Sequence, residues 1–319
     1  MLFHTFDLIN YTCSFLPDID KIHYLSVNRQ MHLWKNKIKF IDKVNLHNII
    51  NLSYFEQFNN IIVSRQNINK ISKNITQLTF DNSDYGYYVH KSLWPPKTIF
   101  NALSNLTHLT FSDNFDQDIK GMLPPNLTHL IFGWGFSQNI KDCLPPNLTH
   151  LIFRGIFNKN INNCLPPNLT HLTFGYKFNQ IIEECLPPNL THLTFGECFN
   201  QNINNTLPLN LTHLTFGQHF NKNIDNTMLP NLTHLTFGKY FNRNINTLPP
   251  NLTHLTFGDN FNQIIEECLP PNLTHLTFGA RFNSCIKNAL PTTLTHLTFG
   301  NCFSEDVKGI LPSSLTGNG

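Results

Sequence analysis

Most of this chain repeats one short pattern of apolar and polar positions. In the run Asn168-Leu169-Thr170-His171-Leu172-Thr173-Phe174-Gly175, apolar side chains at 169, 172 and 174 are separated by polar ones. The Leu-Thr-His-Leu part occurs ten times, with histidines at 108, 129, 150, 171, 192, 213, 234, 254, 275 and 296. The step is 21 residues except for one of 20 between His234 and His254. In the copy at 127–132, His129 and Ile131 fall on one side and Leu130 and Phe132 on the other, the period-two signature of a short strand. Self-similarity at a fixed period predicts a solenoid of stacked units, each closing its core only against its neighbours.

Between strands the unit reads Phe-Asn-x-x-Ile-x-x-x-Leu-Pro-Pro-Asn-Leu, as in 178–190. Paired prolines (145–146, 166–167, 187–188) each fix φ and remove a donor, so the outer side is expected to be turns, short 3₁₀ or polyproline-like segments rather than a long helix. The shortened step falls there as well, at Ile245-Asn246-Thr247-Leu248. The second phenylalanine row (Phe136, Phe157, Phe178, Phe199, Phe220, Phe241, Phe261, Phe282) reads as core. The asparagine that usually follows it reads as a turn residue satisfying backbone groups.

The front of the chain differs. Residues 1–40 carry apolar positions spaced for two or three short helices broken at Pro17, with Asp18 or Asp20 as N-cap. Residues 41–74, rich in Asn and Ile, read as helical or strand-like structure leading into the array. A first imperfect copy stands at Ile75–Phe80, with Gln77 in the histidine slot. An excursion containing Tyr85, Gly86, Tyr87, Tyr88 and Trp94 follows. The division is therefore 1–40, 41–74 and 75–319. After Leu311-Pro312-Ser313-Ser314-Leu315-Thr316 no further strand pattern appears, which predicts a partly open edge beyond Phe299.

Only 13% of residues are charged and the net charge is +2, which argues against nucleic acid or a membrane surface as partner. No apolar run is long enough to span a bilayer, and no signal pattern opens the chain. The expected location is cytoplasmic, in the host cytoplasm if the chain is viral. Cys143, Cys164, Cys185 and Cys268 share one slot before Leu-Pro and read as small, partly buried hydrophobes. The histidines predict a row about 4.8 Å apart on one sheet face. A straight row converges on no metal, and no hydrolase, metalloprotease or phosphate-loop motif accompanies it. No catalytic residue, metal or cofactor is assigned, and the chain is read as a non-enzyme. Variation concentrates just after each strand, at Trp134, Tyr176, Lys177, Glu197, His219, Lys239, Tyr240, Asp259 and Arg281. Varied aromatic and charged residues along one edge of a constant frame suit a protein-binding rim.

Two resemblances extend this reading. The Leu-x-x-Leu-x-Leu spacing at 127–132 is that of leucine-rich repeats. Joined to the Phe-Asn…Leu-Pro-Pro-Asn-Leu half, it resembles the FNIP repeat over residues 75–316. That leucine-rich-repeat relative occurs in social amoebae and large amoeba-infecting viruses, often behind an F-box. The fold implied is a leucine-rich-repeat-like solenoid with one short parallel strand per unit and irregular outer loops, behind a small α-helical segment. The run Asp7 to Arg29 resembles an F-box in its Phe15-Leu16 helix end, its Pro17-Asp18-Ile19-Asp20 break and its Leu25-Ser26-Val27-Asn28 helix. Its opening departs, with Phe3 and Phe6 where Leu-Pro is usual. The resemblance implies a substrate-recruiting adaptor of a Skp1–cullin–F-box ubiquitin ligase. Leu8, Ile9, Phe15, Leu16, Ile22, Leu25 and Val27 would hold a Skp1-like protein and through it cullin, while the array holds a target. The alternative is a non-catalytic scaffold or decoy whose front is an N-terminal cap.

Because each unit depends on both neighbours, position along the array sets the cost of a deletion. Phe216→Ala, in mid-array, is expected to cost about 3–5 kcal/mol and Phe299→Ala about half that, read from urea unfolding.

Overall fold

Repetition at a constant interval places each strand beside the next copy of itself, and only parallel pairing in register keeps every apolar side chain on the core side. The computed structural model describes residues 2–27, 29–81, 95–204, 206–224, 229–245 and 248–315. Among them thirteen strands form one parallel sheet in chain order. These are β1 (Val44–Asn45), β2 (Asn60–Val63), β3 (Gln77–Phe80), β4 (His108–Thr110), β5 (His129–Phe132), β6 (His150–Phe153) and β7 (His171–Thr173). The sheet continues through β8 (His192–Thr194), β9 (His213–Thr215), β10 (His234–Thr236), β11 (His254–Thr256), β12 (His275–Thr277) and β13 (His296–Thr298). From β4 on, histidine pairs with histidine and leucine with leucine. The 20-residue step leaves this intact, with His234 opposite His254. Among the described residues turns, not helices, join the strands of the regular array.

The sheet begins before residue 75. β1 and β2 lie within 41–74, Ile61 of β2 pairs with Leu78 of β3, and Phe40 bridges to Phe58. In front stand α1 (Leu2–Ser14), α2 (Asp18–Tyr24) and α3 (Arg29–His32), with a further turn of helix, α4 (Leu46–Ile49), after β1. The N-cap expectation is corrected here: Pro17 occupies that position and no side chain caps α2. Instead the Asp18 carboxylate accepts from the Asp42 backbone N–H at 2.6 Å and from Lys21 Nζ at 2.6 Å. The Asp18 N–H in turn donates to Asp42 Oδ2 at 2.8 Å, so the exchange bolts the helices to the start of the sheet. The excursion through Tyr85, Gly86, Tyr87, Tyr88 and Trp94 lies outside the described residues, as do Asn28, Asn246, Thr247, Thr316 and the side chains of Phe3 and Phe6.

The core is two columns of phenylalanine behind the sheet. Within a unit, the strand Phe and the second Phe stack at 3.7–4.0 Å between centroids, as in Phe174–Phe178 and Phe153–Phe157. From unit to unit the second column repeats at 5.9–6.3 Å. On the opposite face of the sheet the histidine rings repeat at only 4.0–4.2 Å. Shorter spacing on the histidine side and longer spacing in the core mean that the stack bends with the histidines on the inside.

Backbones approach closely where each strand ends. A Cβ on Gly217 would overlap the Gly196 carbonyl, and the same holds from Gly196 through Gly300 against the preceding glycine. In the outer turn the slot before the cysteine is left-handed, at Asp142, Asn163, Glu184, Glu267 and Asn288 (φ 53–60°), and glycine fills it at Gly121 and Gly309. Gly217→Ala is therefore expected to cost about 1–3 kcal/mol by forcing turns apart. Gly309→Ala, whose Cβ would meet nothing within 4 Å, should cost only the left-handed penalty of about 1 kcal/mol in the same unfolding experiment.

Candidate functional site

Three surfaces carry the side chains that stacking leaves free: the concave face, the rim at the strand ends, and the helical front. On the concave face each imidazole lies nearly parallel to the next, within 8–13°. Its Nδ1 is 2.8–2.9 Å from the hydroxyl of the preceding threonine, as in Thr170–His171. That hydroxyl donates to the backbone carbonyl of the threonine one unit earlier, Thr170 to Thr149 O at 3.1 Å. A hydroxyl has one proton, so with it given to the carbonyl the oxygen can only accept from the imidazole. The hydrogen bonding thus places a proton on each Nδ1 of the row, and in the neutral ring Nε2 is then an outward acceptor. Burial lowers the pKa of His108, and burial followed by the neighbouring imidazoles lowers those of His129, His150, His171, His192, His213, His234 and His275; His129, between His108 and His150, is held at about 4. Toward the front the row continues as Gln77 and Asn60 and ends in a shallow groove of about 260 Å³ beside Lys43, with Ile131 and Ile152 on its floor. Among the described residues no group of three or more His, Cys, Asp or Glu could hold a metal.

The rim residues sit where each strand turns back. Their backbones form a second ladder from turn to turn: the Lys177 N–H donates to Gly155 O, Cys198 to Tyr176 O, His219 to Glu197 O and Tyr240 to Gln218 O. Trp134, Tyr176, Lys177, His219, Lys239, Tyr240, Asp259 and Arg281 are exposed and Glu197 is half-buried. They are strung along the array, not gathered into one pocket. The structure joins Trp134 to Tyr176 (centroids 5.9 Å) and His219 to Tyr240 (5.2 Å). Two rim positions escaped the sequence reading, Arg154 and Ile156, because that copy reads Arg-Gly-Ile where its neighbours read Gly-x-x. Aligning the turns on the second Phe would have found them, since Ile156 precedes Phe157 as Lys177 precedes Phe178.

At the front, the seven residues expected to hold a partner divide. Leu8, Phe15 and Val27 are exposed and Leu16 and Ile22 are half-buried, whereas Ile9 and Leu25 lie in the core that the helices share with the sheet. Ile9 and Leu25 thus fasten the front to the array. The asparagines behave as expected: Asn158 Oδ1 accepts the Asn179 N–H, and Asn179 Oδ1 accepts that of Asn200. The slot-sharing cysteines are buried or half-buried, and each thiol also donates to a carbonyl two residues back, as Cys185 does to Glu183 O at 3.0 Å. Burial pushes the pKa of all four up.

The family model described as FNIP Repeat matches residues 104–134, 119–155, 136–177, 157–198, 199–240, 220–260, 241–267 and 261–302. Among solved structures the chain is similar to CroV588, described as a novel circular LRR protein, at 41% identity and a TM-score of 0.63 over 81% of this chain. It also matches YopM from Yersinia enterocolitica at 18% identity and a TM-score of 0.43 over 82% of this chain. The chain spans 42% of the length of CroV588 and 63% of that of YopM. No curated protein matches it. A leucine-rich-repeat-like solenoid of this kind is typical of binding proteins, and no helix among the described residues is long and apolar enough to cross a membrane.

The histidine row sets a pH dependence. Folding lowers the imidazole pKa from 6.5, to about 4 at His129, so between those values the unfolded chain binds more protons than the folded one. Stability is fully present above about pH 6.5 and falls as the pH drops toward 4. Thermal melts at pH 7.5, 6 and 5 should show a falling midpoint; a flat profile would mean the row is not electrostatically coupled to folding.

Proposed function

Because the chain belongs to the FNIP repeat family, we propose that it is a protein–protein interaction adaptor whose helical front holds a Skp1-like protein, and with it a cullin ubiquitin ligase, while its array holds a target. The observation that carries this reading is a surplus apolar face on α1. One side of that helix, Ile9 and Cys13, is buried against the array. Leu8, Tyr11 and Phe15, at helical spacing on another side, are 65–70% exposed, and the Tyr11 and Phe15 rings meet edge to face at 4.9 Å. Ile19 and Val27 from the following segment are exposed as well. A helix that only capped the solenoid would need one apolar face, and contiguous exposed apolar surface marks an interaction site. The F-box-like run supplies the identity proposed for the partner.

A scaffold or decoy without a ligase remains the second reading, favoured by the depth to which Ile9, Cys13 and Leu25 enter the core. Deleting residues 1–40 would not separate the two, since it would remove Phe40 and uncover Phe58, on which its ring stacks. Leu8→Glu/Phe15→Glu in the full chain changes only exposed positions. The double variant is expected to melt within about 1 kcal/mol of the wild type and to lose capture of a purified Skp1-like protein and cullin. Failure of the wild-type chain to capture either would leave the scaffold reading.

A further inference from the structure

We propose that the array takes its target at one rim patch, Trp134, Ile156 and Tyr176, and that the occupant is an extended segment of a partner protein with an apolar anchor flanked by carboxylates. This rests on the reading that the array holds a target, and it names where and what. The three side chains come from three consecutive turns and are 50%, 40% and 39% exposed. The Trp134 and Tyr176 rings approach to 5.9 Å across the intervening turn, where Gly155 has no side chain to part them. Elsewhere on the rim the apolar content is sparse: Tyr240 is paired with His219, and the later turns carry Asp259, Asn260, Ala280 and Asn301.

The patch is held rigidly. The Trp134 N–H donates to Asp113 Oδ1 at 3.1 Å, and Trp134 O accepts the Ile156 N–H at 2.8 Å. Tyr176 O accepts the Cys198 N–H at 2.9 Å. Aromatic side chains on a fixed backbone lose little freedom on binding, which is what makes Trp and Tyr effective anchors.

Charge selects the partner. Arg154 and Lys177 flank the patch, both are exposed, and neither belongs to an ion pair among the described residues. The Lys177 ammonium lies 5.4 Å from the centre of the Tyr176 ring. The carboxylates on either side are turned into the framework: Asp113 toward the Trp134 N–H, and Glu197 toward the Gln218 N–H at 3.3 Å. What faces outward is apolar and positive, which complements an acidic, apolar-centred segment. The concave histidine row offers acceptors instead and would favour a donor-rich partner.

The test is selection of random dodecapeptides displayed on phage against the full chain, followed by anisotropy titration of labelled winners. Winners are expected to carry an aromatic or aliphatic centre between Asp and Glu. Their affinity should fall about tenfold or more in Trp134→Ala/Tyr176→Ala and in Arg154→Glu/Lys177→Glu. It should be largely retained in Trp134→Phe and unchanged in Leu8→Glu/Phe15→Glu. Circular dichroism melts of each variant confirm an intact array. Winners that are basic, winners indifferent to the rim variants, or no winners at all would overturn the proposal. Winners sensitive to His213→Gln but not to the rim variants would overturn it while leaving the array as target holder. Capture of the Skp1-like protein, which the rim variants should not alter, reports on the ligase reading separately.

Discussion

Each side chain of the repeated framework has its own copy as a neighbour, so a residue is admissible at a stacked position only if it can pack against itself. Phenylalanine does so by stacking, and glycine by allowing two backbones to meet, as at Gly196 and Gly217. Threonine and asparagine do so because each can both donate and accept, as when Thr191 donates to Thr170 O and Thr212 in turn donates to Thr191 O. Asn168 bonds to Pro146 O and Asn189 to Pro167 O along the outer edge by the same rule. Lysine or glutamate in such a column would face like charge at every step. Charged residues accordingly sit in the outer turns, on the rim and in the front segment, and within the histidine column His129 is held well below its ordinary pKa.

Whatever repeats was legible in the sequence, and whatever depends on one distant contact was not. The alternation at 129–132 correctly assigned inward and outward faces, and the second phenylalanine was correctly placed in the core. β2 lay within a stretch whose type stayed open, because Asn60-Ile61-Ile62-Val63 alternates properly but lacks the motif of the later copies. Asp18 had the look of a cap, and only the fold brings Asp42 to it from 24 residues away. The apolar residues of α1 point in more than one direction, so sequence could not say that Ile9 turns inward while Leu8 turns out. The glycine that usually follows the strand phenylalanine was visible, but its reason lies in the adjacent turn.

The two proposed interaction surfaces sit at places exempt from self-packing. The front is helical and not built from the repeat, so it is free to carry an outer face unrelated to it. On the rim the backbone ladder holds each turn, and the side chains need only avoid their neighbours. Identity can vary there without disturbing the core, which is why Trp134, Glu197 and Lys239 can occupy comparable positions.

The 20-residue step at β10–β11 shows that the outer turn tolerates a change in length while His234 still meets His254. Because every junction joins like to like, exchange between copies that are misaligned by whole units yields a product in which each boundary is one already proven to fold. Residues 178–196 and 261–279 are identical over their shared span, as such an exchange would leave them. In this architecture copy number itself becomes heritable variation: gain or loss of a turn lengthens or shortens the arc and changes the order of rim side chains along it, with no new interface to invent.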